Sequence, residues 1–113
     1  MRNYLLIYSE NLAKSIIDIC NTIKDEQNTV IQVKKSSSSV YANIREANYG
    51  QSVPDMISKF EISLKEVYET EGWLKILSID NKIDENTFKS LRNLCGRIRR
   101  LLISSIKTLK EKF

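Results

Sequence analysis

Four acidic residues lie close together in the second half of the chain and have the clearest potential for acid–base chemistry. They are Glu61, Glu66, Glu69 and Glu71. On a helix, Glu66 and Glu69 share a face because they are three residues apart, and paired carboxylates can act as acid and base. However, the chain has no histidine, which the Glu-x-x-His motifs of di-iron carboxylate bundles require. We therefore expect a structural role rather than catalysis. The acids would form ion pairs with Lys65, Arg45 or Lys59, or hydrogen bonds to Asn43 and Thr70.

The other nucleophiles and metal ligands also lack the partners that their chemistry needs. Cys20 and Cys95 form no CxxC motif and fall on apolar helical positions, whereas structural zinc sites use closely spaced Cys and His ligands. No nucleophile has a histidine base, and there is no glycine-rich phosphate-binding loop. The sequence therefore predicts a protein that is not an enzyme and has no cofactor or metal. We expect two buried thiols in a reducing compartment, the cytoplasm.

Basic residues are concentrated at the end of the chain. Residues 84–113 hold eight Lys or Arg against three acids, whereas residues 1–83 hold ten against eleven, so the last segment carries the whole net charge of +4. The candidate phosphate-binding residues are Lys89, Arg92, Arg97, Arg99, Arg100, Lys107 and Lys110. On a helix, Arg92, Arg99 and Lys110 lie along one side, and Arg97, Arg100 and Lys107 flank it. A basic stripe repeated in an oligomer predicts weak, shape-tolerant binding of RNA or DNA.

A second interpretation of these bases stays open. Lys and Arg suit the C-terminal half of any helix, where they complement its dipole, so this face could simply be solvated. For a monomer we favour the solvated face. For a cyclic oligomer we favour the solvated face and the phosphate-binding face about equally. No RNA-binding fingerprint with stacked aromatic residues is present, so sequence-specific recognition is not expected.

The composition and the apolar spacing indicate which elements carry these residues. One Pro and three Gly in 113 residues leave too few turns for a β-sandwich, and no apolar run approaches the ~18 residues that span a bilayer, so we expect no membrane partner. A three-four apolar spacing predicts helices over about 3–26, 29–47, 53–78 and 84–111. Asn28 or Thr29, Ser52 and Asp84 are the predicted N-caps. Short links make neighbouring helices antiparallel.

The predicted fold is therefore all-α, one domain spanning 1–113, an antiparallel up-down-up-down four-helix bundle. The serine run at 36–39 is either part of the second helix or a flexible linker; we favour a helix whose small residues let a neighbour approach. Helices 3 and 4 carry apolar residues beyond one buried stripe, which favours a homo-oligomer over a thick monomer core. These residues are Ile62, Trp73, Ile76, Leu94, Leu101 and Ile103.

Two sequence blocks resemble a known family. The first block matches a small-x-Ser-Ile/Val-x-Ala-Asn-Ile-x-Glu-Ala pattern through Ser36, Ser38, Ser39, Val40, Ala42, Asn43, Ile44, Glu46 and Ala47. The second block matches through Ser52, Asp55, Leu64, Lys65, Glu66, Glu69, Thr70, Trp73 and Leu74. Together they make the chain resemble the 23S rRNA intervening-sequence proteins, and also a relative of that family, the accessory variability determinant of diversity-generating retroelements. Gly72 departs from the pattern, in which an aromatic residue often precedes the tryptophan.

The resemblance implies a homo-oligomer, with a pentamer as the favoured assembly. It also implies RNA or DNA as a partner, or a reverse transcriptase or another protein. The alternative is a protein-interaction scaffold that binds no nucleic acid. Six polar positions belong to the matched blocks: Asn43, Glu46, Lys65, Glu66, Glu69 and Thr70. They form either a buried polar network that fixes the helix register or a binding surface within the oligomer.

Overall fold

The computed structural model describes residues 3–113, which fold into four helices with no strand among them. The helices are α1 (Tyr4–Cys20), α2 (Gln27–Asn48), α3 (Val53–Ile79) and α4 (Glu85–Lys112). The bundle measures 46 × 22 × 21 Å, so its long axis matches the ~42 Å expected for a helix of 28 residues. No helix in the described part of the chain has a stretch long and apolar enough to cross a membrane.

The first helix is shorter than its apolar pattern suggests. It ends at Cys20, not near residue 26, and Asn21 is its C-cap. Ile23 is still buried, so a residue in the loop continues the apolar pattern after the helical backbone has ended. The chain then reverses at Glu26, whose φ of 56° is left-handed.

The second helix begins two residues earlier than predicted, and neither predicted cap is right. Glu26 is the N-cap and makes no side-chain capping hydrogen bond, while Thr29 is buried inside the helix. Instead, the Gln27 side chain donates to the backbone carbonyls of Lys24 and Asp25, at 3.0 and 3.4 Å. The two later caps are as predicted: the side chains of Ser52 and Asp84 accept from the amides of Asp55 and Thr87, at 3.2 and 2.7 Å.

Contacts between α2 and α3 show that these helices are antiparallel and tightly packed. The Ser63 hydroxyl donates to the Val40 carbonyl at 2.9 Å, and the Thr70 hydroxyl lies 2.8 Å from the Ser36 hydroxyl. Ser36 and Ser37 are buried within α2, so the serine run is helical and the linker interpretation is wrong. Small side chains at this interface let the two backbones approach, and hydroxyl hydrogen bonds replace lost solvation.

The remaining neighbours are also antiparallel. Asn3, at the start of α1, donates to Asn48, at the end of α2, at 3.1 Å. Glu71 and Glu61 of α3 pair with Arg99 and Lys110 of α4, in reversed order. With α1 against both α2 and α4, the structure is the predicted four-helix bundle.

One apolar core runs through the bundle and contains both cysteines. Cys20 and Cys95 are buried and not bonded to each other. Burial raises the pKa of the Cys95 thiol to about 12, so it stays protonated and unreactive at neutral pH.

The extra apolar residues of α3 and α4 divide into two groups. Trp73, Leu94 and Leu101 are partly buried against the core of their own chain. The remaining three, Ile62, Ile76 and Ile103, are each more than two-fifths exposed. The first group therefore thickens the monomer core, and the second leaves the larger apolar surface available to another molecule.

Candidate nucleic-acid interface

The structure divides the basic residues of α4 between its two neighbours, because a helix in a bundle flanks one helix on each side. Arg92, Arg99 and Lys110, predicted to follow one side of the helix, turn toward α3. There the Nε of Arg99 donates to Glu71 at 3.1 Å, and Lys110 lies 3.8 Å from Glu61. Two of these three charges are thus paired within the chain.

Lys89, and Arg92 from the group just described, have contacts within α4 itself. Lys89 pairs with Glu85, one turn earlier, at 3.4 Å. The guanidinium of Arg92 lies 5.4 Å from the centre of the Phe88 ring, a cation–π distance.

Four of the seven predicted bases are exposed and lack an acidic partner within ion-pairing distance among residues 3–113. Arg92 lies beside α3, and the other three are Arg97, Arg100 and Lys107. Their spacing of three and then seven residues places them on one side of α4, over ~15 Å of helix. We call Arg97, Arg100 and Lys107 the basic face. All three residues are exposed, so their charges are accessible to phosphates.

Gly96 has a structural role beside this face. The glycine is buried, and a Cβ at this position would lie 3.3 Å from an Nη of Arg100 and 3.7 Å from an Nη of Arg99. Both guanidinium groups therefore cover the space that a side chain would need. Alanine here would require the Arg100 guanidinium to shift, which offsets part of the ~1 kcal/mol by which alanine is favoured over glycine inside a helix.

Two tyrosines of α1 lie against the basic face. A cleft of about 300 Å³ is lined by Tyr4, Tyr8, Arg97, Arg100 and Leu101, and we call it the tyrosine–arginine cleft. The two tyrosine rings are 5.7 Å apart and tilted by 31°, and the Arg97 guanidinium lies 5.9 Å from the centre of the Tyr8 ring.

Sequence reasoning missed this cleft because its two halves are about ninety residues apart. The available signal was the spacing of Tyr4 and Tyr8, which places both on one face of the first helix. In an up-down-up-down bundle, α1 packs against α4 as well as α2, so such a face can meet the basic helix. The absence of an RNA-binding fingerprint in the sequence therefore did not exclude aromatic residues beside the bases.

The six polar residues of the matched blocks are not joined in one network. Only Thr70 is buried. Asn43 donates to the carbonyl and the hydroxyl of Ser39, within its own helix, and Glu46 pairs with Lys59 at 3.4 Å. Lys65 lies on the other side of α3, in a groove shared with α4.

Glu66 and Glu69 remain close enough to affect each other. Partial burial, followed by the charge and hydrogen bonding of Glu69, raises the pKa of Glu66 above its ordinary value, and Lys65 and Lys35 oppose this rise. Within residues 3–113, no three side chains of metal-ligating type come together. The pair therefore stands as two neighbouring carboxylates at the surface between α2 and α3.

Comparison with known proteins agrees with this architecture. A family model described as 23S rRNA-intervening sequence protein matches residues 6–104. A solved structure from Bacteroides thetaiotaomicron VPI-5482, described as a protein with unknown function from the S23 ribosomal protein family, is 37% identical. The match covers 91% of this chain and 98% of that one, with a TM-score of 0.85. Neither description names an enzymatic activity, and no curated protein matches the chain significantly. The family model spans nearly the whole bundle, and the chain therefore belongs to the 23S rRNA-intervening sequence protein family.

Proposed function

We propose that the protein is a non-enzymatic, homo-oligomeric adaptor that binds nucleic acid weakly and without sequence specificity. The observation that carries the proposal is the basic face, where Arg97, Arg100 and Lys107 are exposed and lack an acidic partner within the described chain. Guanidinium and ammonium groups bind phosphate oxygens, and each contact releases counterions from the nucleic acid. Three other bases on α4 are less available, because Lys89, Arg99 and Lys110 are paired.

Assembly would strengthen this binding. Three bases make a small footprint on one chain, but copies of the basic face in a ring act on the same nucleic acid and raise the total affinity. The exposed side chains of Ile62, Ile76 and Ile79 on α3 supply apolar surface for contacts between subunits. A pentamer is the assembly that we favour.

Filter binding with a mixed-sequence RNA and DNA tests the proposal. We expect retention at about 50 mM salt and its loss as salt rises. The variant Arg100→Gln with Lys107→Gln should retain far less nucleic acid. The control, Lys24→Gln with Lys34→Gln, removes the same net charge from exposed residues outside α4 and should behave like the wild type. No retention of the wild-type protein at 50 mM salt contradicts the proposal.

A second candidate, a protein-interaction scaffold, is favoured by a different surface. A groove of about 600 Å³ between α3 and α4 is lined by Leu64, Tyr68, Ile103 and Ile106, with lysines and glutamates at its rim. Apolar grooves of this kind accept partner side chains. This function predicts a bound protein partner that survives nuclease treatment, together with a wild-type protein that fails to retain nucleic acid.

A further inference from the structure

The tyrosine–arginine cleft combines two chemical features that a phosphate site alone does not need. Tyr4 is 48% exposed, so much of its ring is open to a flat apolar ligand. Arg97 packs against Tyr8 at 5.9 Å, which orients the guanidinium through a cation–π contact. Leu101 contributes an apolar wall, and Arg100 a second guanidinium without an acidic partner in the described chain.

These features match the parts of a nucleotide. An unstacked base binds proteins by stacking on an aromatic ring or an arginine plane, while its phosphate binds guanidinium groups. The volume of about 300 Å³ lies at the lower end of small-molecule sites. It suits one or two flat groups and not the width of a duplex.

The geometry also separates single strands from duplexes. In a duplex each base is stacked between its neighbours and cannot enter a cleft between two helices without leaving the stack, which costs a few kcal/mol. Duplex phosphates can still contact the exposed basic face. A single strand can contact the basic face and the cleft together.

We propose that the tyrosine–arginine cleft binds an unpaired nucleobase of single-stranded RNA or DNA, with Arg97 and Arg100 holding the adjacent phosphates. The inference rests on the proposed nucleic-acid function and adds to it a preference for single strands. Any base can stack in the cleft, because every base has a π-face. The site should therefore prefer single strands to duplexes without preferring a particular sequence.

The test compares oligonucleotides of one length as single-stranded RNA, single-stranded DNA and duplex, by fluorescence anisotropy at low salt. We expect the wild type to bind the single strands more tightly than the duplex. Tyr4→Leu should weaken single-strand binding about tenfold and leave duplex binding unchanged. Tyr68→Leu is the matched control, since Tyr68 is 53% exposed and lies on α3 against Arg99, away from the cleft, and it should change neither.

Tyr8 needs a more conservative pair of variants because its ring is partly buried against the core. Tyr8→Phe keeps the ring and should preserve single-strand binding, whereas Tyr8→Leu should lose it. A single-stranded probe carrying 2-aminopurine provides the stacking signature: its fluorescence should be quenched by the wild type and by Tyr8→Phe, but not by Tyr4→Leu.

The outcomes separate this inference from the function on which it rests. Equal binding of single strands and duplex, with Tyr4→Leu affecting neither, would overturn the cleft proposal while leaving phosphate binding intact. Absence of binding to every probe at low salt would overturn both. A quenched 2-aminopurine signal that persists in Tyr4→Leu would place the base elsewhere and also overturn the proposal.

Discussion

Gly72 and Gly96 occupy the same kind of position, the interior of a long helix, but for different physical reasons. Gly96 leaves space that the side chains of Arg99 and Arg100 occupy, whereas nothing lies within 4 Å of a Cβ built at Gly72. The sequence alone could not distinguish them, because the difference depends on how two arginine side chains fold back over their own helix.

We predict that Gly72→Ala raises the free energy of unfolding by about 1 kcal/mol, since alanine has the higher helix propensity and meets no clash. Thermal unfolding should show a Tm higher by about 4 °C. Gly96→Ala is the matched control and should gain less, because the Arg100 guanidinium must move. A lower Tm for Gly72→Ala would contradict an open surface at this position.

Glu66 provides a prediction about pH. Its pKa is raised in the folded state, chiefly by partial burial and then by Glu69, so folding favours the protonated form. The resulting stabilisation is complete below the unfolded pKa of about 4.3 and is lost as the pH rises through the raised value.

Glu66→Gln should therefore raise the Tm at pH 7 and leave it nearly unchanged at about pH 4. Glu10→Gln, an exposed change on α1, controls for the loss of one negative charge. Differential scanning calorimetry at both pH values measures the effect. A lower Tm for Glu66→Gln at pH 7 would contradict the raised pKa, because it would mean that folding favours the Glu66 carboxylate.

At the scale of the helices, the apolar and capping patterns predicted most of the fold. The Ser52-Val53-Pro54-Asp55 start of α3 and the Asp84 start of α4 depend on local hydrogen bonds, which sequence spacing reveals. The end of α1 was not predictable in this way. Ile23 continues the apolar spacing of α1 from a loop, so burial and helical backbone do not end at the same residue.

The contact between Ser36 and Thr70 was also beyond the sequence, although a small-residue face on α2 was predicted. Which hydroxyl of α3 meets which serine depends on the helix register. The Thr70 hydroxyl also lies 2.9 Å from the Glu66 carbonyl. Contacts with both helices therefore fix its position.

A double-mutant cycle measures this contact. Thr70→Val and Ser36→Ala should each destabilise the fold, with a coupling energy of about 1 kcal/mol, typical of a buried hydrogen bond. Denaturant unfolding at one fixed protein concentration gives the free energies. Ser63→Ala, whose hydroxyl bonds Val40 instead, should be additive with Ser36→Ala. If the free-energy changes of Thr70→Val and Ser36→Ala simply add in the double variant, the hydroxyl contact contributes nothing to stability.

At the scale of the whole molecule, the sequence concentrated the basic charge on α4, but it did not show which of these charges would pair with acids of a neighbouring helix. Spacing grouped Arg92, Arg99 and Lys110, and the bundle then placed acids of α3 beside two of them. Such pairing depends on tertiary neighbours. A different neighbour, α1, placed Tyr4 and Tyr8 beside two of the bases that remained exposed.

The oligomeric state is a property of the whole molecule, and we predict a homo-oligomer. Size-exclusion chromatography with light scattering should give a mass that is a multiple of 13.1 kDa, and we favour five copies. Ile76→Glu should lower this mass, because a buried charge disrupts an apolar contact. Ile31→Glu is the matched control on α2, where Ile31 is 58% exposed. A wild-type monomer at micromolar concentration would contradict the oligomer.

The salt dependence of nucleic-acid binding tests the central claim, phosphate binding by the basic face, most directly. For a single strand, log K should fall linearly with log salt, by ~0.7 for each phosphate neutralised. We predict that Arg100→Gln with Lys107→Gln makes this slope shallower, while Lys24→Gln with Lys34→Gln leaves it unchanged. Equal slopes for the wild type and both variants, or no measurable binding at low salt, would contradict the claim.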